Sequence, residues 1–287
     1  MPSSTACDND MKPLLIAQIS DTHIREPGEL CSGRVDTAAA LRACVEQLQA
    51  LTPRPDALLV TGDLVDQGRE GEYRHLRELL RPLPLPTLVI PGNHDDRAAL
   101  REAFPERASA AEGTVFFQYA FEAFPLRIIA LDTLVPGHEG GELCNERLVW
   151  LDKTLAAAPE KPTLLMMHHP PFRTGIVAMD RYGLAGAAGL REVVARHPQV
   201  ERIVCGHLHR AIEARLGRVP VSVCPSPAHQ ISLDLLPGMR ARYVMEPPGF
   251  LLHAWQDDAS LVTHLVPIGT FDGPHLFRDQ SGAEGAM

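Results

Sequence analysis

The chain has no surplus of basic residues. Its 287 residues carry 27 Lys and Arg against 36 Asp and Glu, a formal charge of -9, which excludes a protein that wraps duplex nucleic acid through a basic face. A small anionic substrate is not excluded, because bound cations supply positive charge locally whatever the net balance. No C-x-x-C pair occurs among the six cysteines Cys7, Cys31, Cys44, Cys144, Cys205 and Cys224. A chain of this length does not need disulfide staples, so the thiols read as buried or incidental. Long apolar runs are missing too. The first apolar stretch, at 14–19, is strand-sized and far short of the ~20 residues of a membrane span. The polar and acidic stretch 1–10 lacks the basic start and apolar run of a secretion signal. The expectation is a cytoplasmic protein that does not engage a membrane. No internal repeat of fixed period is evident.

What is present suits a soluble α/β protein. Hydrophobic residues make up 45% and charged residues 22% of the chain, enough for a sizeable core under a polar surface. The length suits one large α/β domain, or a domain with a small appendage. Short apolar stretches predict buried strands at 14–19, 57–60, 87–90, 115–121, 127–131, 163–167 and 202–205. Helical spacing predicts helices over 36–51, 70–80, 145–157 and 190–196. Their alternation predicts a layered α/β core. After Ala211 the texture changes to antiparallel-looking strands at 212–216, 219–223, 250–255 and 260–266, interrupted by a Pro/Gly-rich section at 225–248. The expected organisation is a flexible N-terminus over 1–11 and a core over 12–224. A lid or subunit-contact segment over 225–275 contributes strands that complete the core, and 276–287 form a flexible tail.

Most of the predicted core strands end in a loop with a metal-competent side chain. The first gives Asp21 and His23, the second Asp63, the third Asn93 and His94, a later one His168 and His169, and the last His207 and His209. Ligands bind in crevices at strand ends of α/β sheets, so these loops are expected to converge. Carboxylate oxygen, amide oxygen and imidazole nitrogen suit Mn, Fe, Zn or Co, and no thiolate pulls the choice toward softer ions. Taken singly, each piece has an ordinary structural reading. Asp-x-His is commonly a capped turn, Gly62-Asp63 a turn, Gly92-Asn93 a left-handed site and His168-His169-Pro170 a strand end. Their recurrence in one order, each after an apolar strand, carries the chemical reading.

Together, Asp21-Thr22-His23, Gly62-Asp63, Gly92-Asn93-His94-Asp95, His168 and Gly206-His207-Leu208-His209 resemble the motif set of the calcineurin-like metallophosphoesterase superfamily. The resemblance covers about 14–209. Within the superfamily the chain is similar to bacterial class III cyclic-nucleotide phosphodiesterases and glycerophosphodiesterases. The supporting stretches are Ile19-Ser20-Asp21-Thr22-His23, Gly62-Asp63-Leu64-Val65-Asp66, Pro91-Gly92-Asn93-His94-Asp95-Asp96 and His168-His169-Pro170-Pro171. Gly273-Pro274-His275-Leu276 is similar to the glycerophosphodiesterase branch.

The resemblance implies a two-layer β-sandwich flanked by helices, with two divalent or trivalent metal ions at one sheet edge. Asp21, His23 and His209 would hold one metal, Asn93, His168 and His207 the other, and Asp63 would bridge both. It further implies hydrolysis of a small phosphodiester, 3′,5′-cyclic AMP or a glycerophosphodiester, by hydroxide generated at the metal pair. His94 would protonate the leaving alkoxide or orient the phosphate, and Asn93 would orient a nonbridging oxygen. A phosphomonoesterase or promiscuous phosphoesterase is the alternative, and a non-catalytic scaffold a third reading. His169 has no ligand role and reads as a neighbour of the ligands or as packing.

Members that dephosphorylate proteins carry Gly-Asp-x-x-Asp-Arg-Gly and a Glu after Gly-Asn-His. Gln67 and Asp95 stand at those two positions here, which leans toward diesters. Arg69 reads as a solvated residue at a helix start. Substrate choice is expected from the loops 25–33, 133–141 and 171–183 and from the C-terminal lid, with His229 and Phe172 either contacting a base or packing. The resemblance also implies a homodimer or larger homo-oligomer through 225–248 and the two apolar strands after it.

Overall fold

Apolar segments of four to six residues, buried along almost their whole length, form parallel strands in two sheets. The computed structural model describes residues 12–108, 113, 115–256 and 258–276. The expected flexible N-terminus, and the expected tail beyond Leu276, lie outside the described residues. The strands are β1 (Leu14–Ile19), β2 (Ala57–Thr61), β3 (Thr87–Ile90), β4 (Tyr119–Phe121), β5 (Arg127–Ala130), β6 (Thr163–Met166) and β7 (Val200–Cys205). They continue with β8 (Ile212–Leu216), β9 (Val219–Val223), β10 (Gly249–Trp255) and β11 (Leu261–Pro267). The helices are α1 (Thr37–Ala50), α2 (Glu70–Leu80), α3 (Arg97–Ala103), α4 (Pro105–Ala108), α5 (Asn145–Ala156) and α6 (Ala187–Arg196).

One sheet runs β11-β10-β1-β2-β3, the other β8-β9-β7-β6-β5-β4. β1, β2 and β3 are parallel, and so are β5, β6, β7 and β9. In the second sheet, period-two alternation divides the apolar residues between two cores. Ile128, Ala130, Leu164, Met166 and Val204 share a core with Ile16, Leu58 and Val60 of the first sheet. Ile129, Leu165, Met167 and Ile203 pack instead with Leu151 and Leu155 of α5 and with Leu190 and Val193 of α6. Helices α1 and α2 bring Leu41, Val45, Leu48, Leu76 and Leu79 to the first core. The result is the expected α/β sandwich of two sheets flanked by helices.

A buried polar clamp ties the sheets together. Gln18 on β1 donates through Nε2 to the Cys205 carbonyl on β7 and to Thr61 Oγ1 on β2, both at 2.9 Å. Its Oε1 accepts from His253 Nε2 on β10 at 3.0 Å. Strand β10 lies directly beside β1, so the C-terminal strands are integral to the first sheet.

Some local expectations differ. Helices α3 and α4 were not expected, and α6 begins at Ala187, ahead of the expected 190. Of the strand expected at 115–121, only Tyr119–Phe121 pairs, and Val115 is exposed. Cys31, Cys44, Cys144, Cys205 and Cys224 are free thiols, as expected for this chain. No helix among the described residues is long and apolar enough to cross a membrane. Between β9 and β10 the chain makes an excursion held by a two-residue ladder, Gln230–Ile231 against Tyr243–Val244.

Candidate metal centre

Parallel strands ending level bring their following loops to one edge of the sandwich. Asp21 and His23 follow β1, Asp63 follows β2, Asn93 and His94 follow β3, His168 and His169 follow β6, and His207 and His209 follow β7. The turns are tight. Asp21, His23, Asp63, His207 and His209 have φ of 54°, 42°, 48°, 72° and 49°, a region that costs a non-glycine residue on the order of 1–3 kcal/mol. Cross-bonds hold them there. The Asp21 N–H donates to the Gly62 carbonyl, the His23 N–H to the Asp63 carbonyl, and the His207 N–H to the Asp21 carboxylate at 2.9 Å. Close approach also demands glycine nearby: a Cβ on Gly92 would enter the Asp63 carboxylate, and one on Gly206 would overlap Ser20 Oγ.

The donor atoms form two groups. His23 Nε2 and His209 Nε2 are 3.1 Å apart, with Asp21 Oδ1 3.5 Å from His209 Nε2. Asn93 Oδ1 lies 3.2 Å from His168 Nε2 and 3.1 Å from His207 Nδ1. Asp63 Oδ2 stands between the groups, 3.6 Å from His23 Nε2 and 3.5 Å from His168 Nε2. Six of the seven side chains are buried and Asn93 is half-buried. All seven residues expected from the sequence therefore meet in one place.

Tautomers follow from what lies behind the rings. His168 Nδ1 is 2.8 Å from the Thr61 carbonyl, and His209 Nδ1 is 3.0 Å from the His229 carbonyl. A carbonyl only accepts, so each Nδ1 carries the proton and each Nε2 turns a lone pair inward. His23 Nδ1 faces Asp66 Oδ1 at 3.4 Å, an ion-pair contact. Buried lone pairs from imidazole, amide and carboxylate converging without a protein donor between them fit a metal cation.

The electrostatics agree. Burial raises the Asp21 carboxyl to about 6, against the pull of His168. Burial also works to raise Asp63, but His168, His94 and His23 around it outweigh that and hold it well below the usual carboxylate range. Burial would lower His168, yet Asp63 brings it up to about 9. Burial takes His207 down to about 3 and His209 well below its ordinary value. Asp63 thus favours a positive charge at His168, whereas burial keeps His207 and His209 neutral donors.

His94, expected beside the ligands, sits at their edge with its side chain 41% exposed, enough to reach a bound substrate. Its N–H donates to Asp63 Oδ1 at 2.9 Å, and its ring stands edge-on to His23 at 4.7 Å. Its Nδ1 donates to the Asp66 carbonyl at 2.8 Å, which leaves the ring's second nitrogen, Nε2, facing away from that carbonyl. Asp66 is thus a functional neighbour that the sequence reading passed over. It orients His23 through its carboxylate and His94 through its carbonyl, and accepts from Arg25 Nη1 at 3.0 Å. Its signal was its place in Gly62-Asp63-Leu64-Val65-Asp66.

Other candidates divide. Asp95 accepts from the N–H groups of Gly92 and Leu64 and from the Tyr73 hydroxyl, at 2.8, 3.1 and 2.9 Å. It therefore locks the two ligand loops together, and its difference from Glu acts on architecture. Arg69 caps the start of α2 and is exposed, as expected. His169 uses both ring nitrogens, on Thr133 and on the Glu139 carbonyl, and has none left for a metal. A cavity of about 250 Å³ opens over the centre, and every loop expected to choose substrate borders it. Cys31 and Ser32, Glu139, Met179 and Tyr182, and His229 and Tyr243 come from those four segments. Phe172 lines a neighbouring hollow of about 360 Å³, which reaches the centre only through His207.

Two groups of imidazole donors with a carboxylate between them, at the strand ends of an α/β sandwich, suit a phosphoester hydrolase of the metal-dependent class. The chain belongs to the calcineurin-like phosphoesterase family, whose sequence model matches residues 14–211. It is 35% identical over 270 residues to a glycerophosphodiester phosphodiesterase of Enterobacter lignolyticus, covering 93% of this chain and 95% of the relative. It is 34% identical over 291 residues to a cAMP/cGMP dual specificity phosphodiesterase of Mycobacterium tuberculosis, covering 98% of this chain and 89% of the relative. In fold it is similar to a dimetal phosphatase from Danio rerio, at a TM-score of 0.61 and 17% identity, covering 90% of this chain and all of that one.

Proposed function

We propose that the protein is a phosphodiesterase with a dinuclear metal centre, acting on 3′,5′-cyclic AMP or small glycerophosphodiesters. The observation that carries the proposal is the position of Asp63 Oδ2, within 3.6 Å of one imidazole pair and 3.5 Å of the other group. Asp21, His23 and His209 would hold one ion, Asn93, His168 and His207 the second, and Asp63 both. Mn, Fe, Zn or Co fits this nitrogen and oxygen set. When bound, two such ions supply charge against the phosphate and lower the pKa of water toward neutrality.

The chain's own residues do the rest. Asp66 holds His94 so that Nε2 faces outward from the Asp66 carbonyl, placed so that a ring protonated at both nitrogens gives the Nε2 proton to the departing alkoxide and keeps the Nδ1 proton on the carbonyl. Asn93 presents its amide beside the phosphate position, and the Asp63 carboxylate anchors the His94 backbone. A cavity of about 250 Å³ is smaller than the ~300–1,000 Å³ of drug-sized sites, which favours a compact diester over a polymer. The two diesterase relatives support the same substrate classes.

The same reading carries a cytoplasmic location, a core over 12–224 and a cap over 225–275. Self-association through the cap is supported by its exposed Leu233, Leu235, Leu236 and Met245. The experiment is a substrate panel on metal-reconstituted protein, with cyclic AMP beside glycerophosphodiesters and bis- beside mono-(4-nitrophenyl) phosphate. Diesters should turn over faster than the monoester. A clear preference for the monoester would establish the phosphomonoesterase alternative instead.

A further inference from the structure

Asp95 supplies no donor atom to the centre, yet its carboxylate joins two loops that do. Its Oδ2 accepts from the Gly92 N–H at 2.8 Å, next to Asn93, and from the Leu64 N–H at 3.1 Å, next to Asp63. The same two loops touch again where the His94 N–H donates to Asp63 Oδ1 at 2.9 Å. A turn of the Asp95 carboxylate would therefore shift Asn93 relative to Asp63. The other oxygen, Oδ1, opposes such a turn. It accepts from the Tyr73 hydroxyl at 2.9 Å, and its further contact, the Val65 N–H, is longer at 3.4 Å.

Tyr73 is well fixed for this task. It is buried on α2 and packs in the first core together with Leu76 and Leu100. Its hydroxyl also accepts from the Asp96 N–H at 3.0 Å, and Asp96 is the residue whose side chain caps α3. The preceding residue, Glu72, is buried and accepts from the N–H groups of Gln67 and Arg69 at 2.9 and 3.2 Å, which secures the start of α2. One hydroxyl thus donates to Asp95 and accepts from Asp96 while a rigid helix carries it. Phenylalanine in its place would keep the ring and leave Asp95 Oδ1 buried with a single long bond.

We propose that Tyr73 is a positioning residue for the metal centre: its hydroxyl sets the Asp95 carboxylate, and through it the place of Asn93 against Asp63. The proposal rests on the dinuclear phosphodiesterase reading and adds a residue of α2 to it. Asn93 belongs to one donor group alone, so loss of the hydroxyl falls mainly on one of the two ions. Groups that orient metal ligands contribute about 10–100-fold in metal affinity, and Tyr73, acting through Asp95, belongs at the low end.

The test sets Tyr73→Phe beside Tyr119→Phe in full-length protein stripped of metal and titrated with manganese, with the free ion followed by electron paramagnetic resonance. Tyr119 is the matched control, an equally buried tyrosine whose hydroxyl uses its two bonds on the Val89 N–H and carbonyl of β3, at 3.0 and 2.9 Å. The wild type should bind two ions. In Tyr73→Phe one dissociation constant should rise by about 5–10-fold while the other stays within about twofold. Tyr119→Phe should match the wild type at both. Hydrolysis of bis(4-nitrophenyl) phosphate by Tyr73→Phe should fall at limiting manganese and recover at saturating manganese. Unchanged constants in Tyr73→Phe, or an equal loss in Tyr119→Phe, overturn the positioning role and leave the reading of the centre standing. A wild type that takes up fewer than two ions overturns that reading and the inference with it.

Discussion

His94 and Asp63 are joined by one hydrogen bond, the His94 N–H to Asp63 Oδ1, yet losing each side chain has a different consequence. That bond uses the backbone of residue 94, so His94→Ala keeps it and keeps the ligand loops in place. Turnover should fall by about 10²–10⁴-fold, the usual contribution of a general acid, while metal content is retained. Normal turnover in the metal-loaded variant would remove His94 from the proton path. Asp63→Ala takes away the one oxygen that faces both imidazole groups and also releases the His94 backbone. Its metal content by elemental analysis should drop below two ions per chain, with activity lost in parallel. Two ions retained would show that the centre does not depend on a carboxylate bridge.

At the scale of elements, the polar clamp between sheets makes a prediction about acid. His253 on β10 donates to Gln18 Oε1 and faces Thr263 Oγ1 on β11 at 2.8 Å, an arrangement that uses one neutral tautomer. Burial takes its pKa down to about 3, from 6.5 in the unfolded chain. Between those values the unfolded state binds a proton that the folded state refuses, so stability falls as pH drops through that window. The cost grows by roughly 1.4 kcal/mol per pH unit below 6.5, or about 2 kcal/mol by pH 5. Urea unfolding should therefore show the wild type losing stability more steeply than His253→Gln between pH 7 and pH 5. Comparing the two removes the other titrating groups common to both. Parallel pH curves would place the burden of acid sensitivity elsewhere.

The same scale explains what could be read in advance. Strands such as Ala57–Thr61 were legible because every residue is apolar or small and all are buried. The site was legible because its ligands immediately follow those strands in the chain. Helix α3 was not, since Leu100 is its only buried residue and leaves no apolar stripe to detect. Its start is instead marked by Asp96, whose side chain accepts from the N–H groups of Ala98 and Ala99. The apolar run at 115–121 misled for the opposite reason. Phe116 lies 4.4 Å beneath the Arg147 guanidinium, and the Phe117 N–H donates to Asp132 rather than to a neighbouring strand. The role of Asp66 was hidden because it depends on imidazoles brought to it by distant segments. No local pattern records such contacts.

For the whole molecule, the excursion between β9 and β10 presents two surfaces with different properties. Its inner side places His229, Arg242 and Tyr243 in the cavity wall. Outside, Leu233, Leu235, Leu236 and Met245 are 60%, 55%, 67% and 63% exposed, four large apolar side chains within thirteen residues and more than scattered surface apolarity requires. The short ladder at Gln230–Ile231 and Tyr243–Val244 and the Arg242–Asp234 pair beside it secure this excursion to itself, and a second copy covering the outer side would stiffen the substrate wall further. Sedimentation at micromolar concentration should therefore find a dimer or larger species, and Leu235→Glu with Leu236→Glu should shift it toward monomer. The same double variant should raise KM with metal content unchanged, because the ligands come from loops of the core and only the wall is loosened. A wild type that sediments as a monomer would leave the apolar face without this explanation and confine control of the cavity to a single chain.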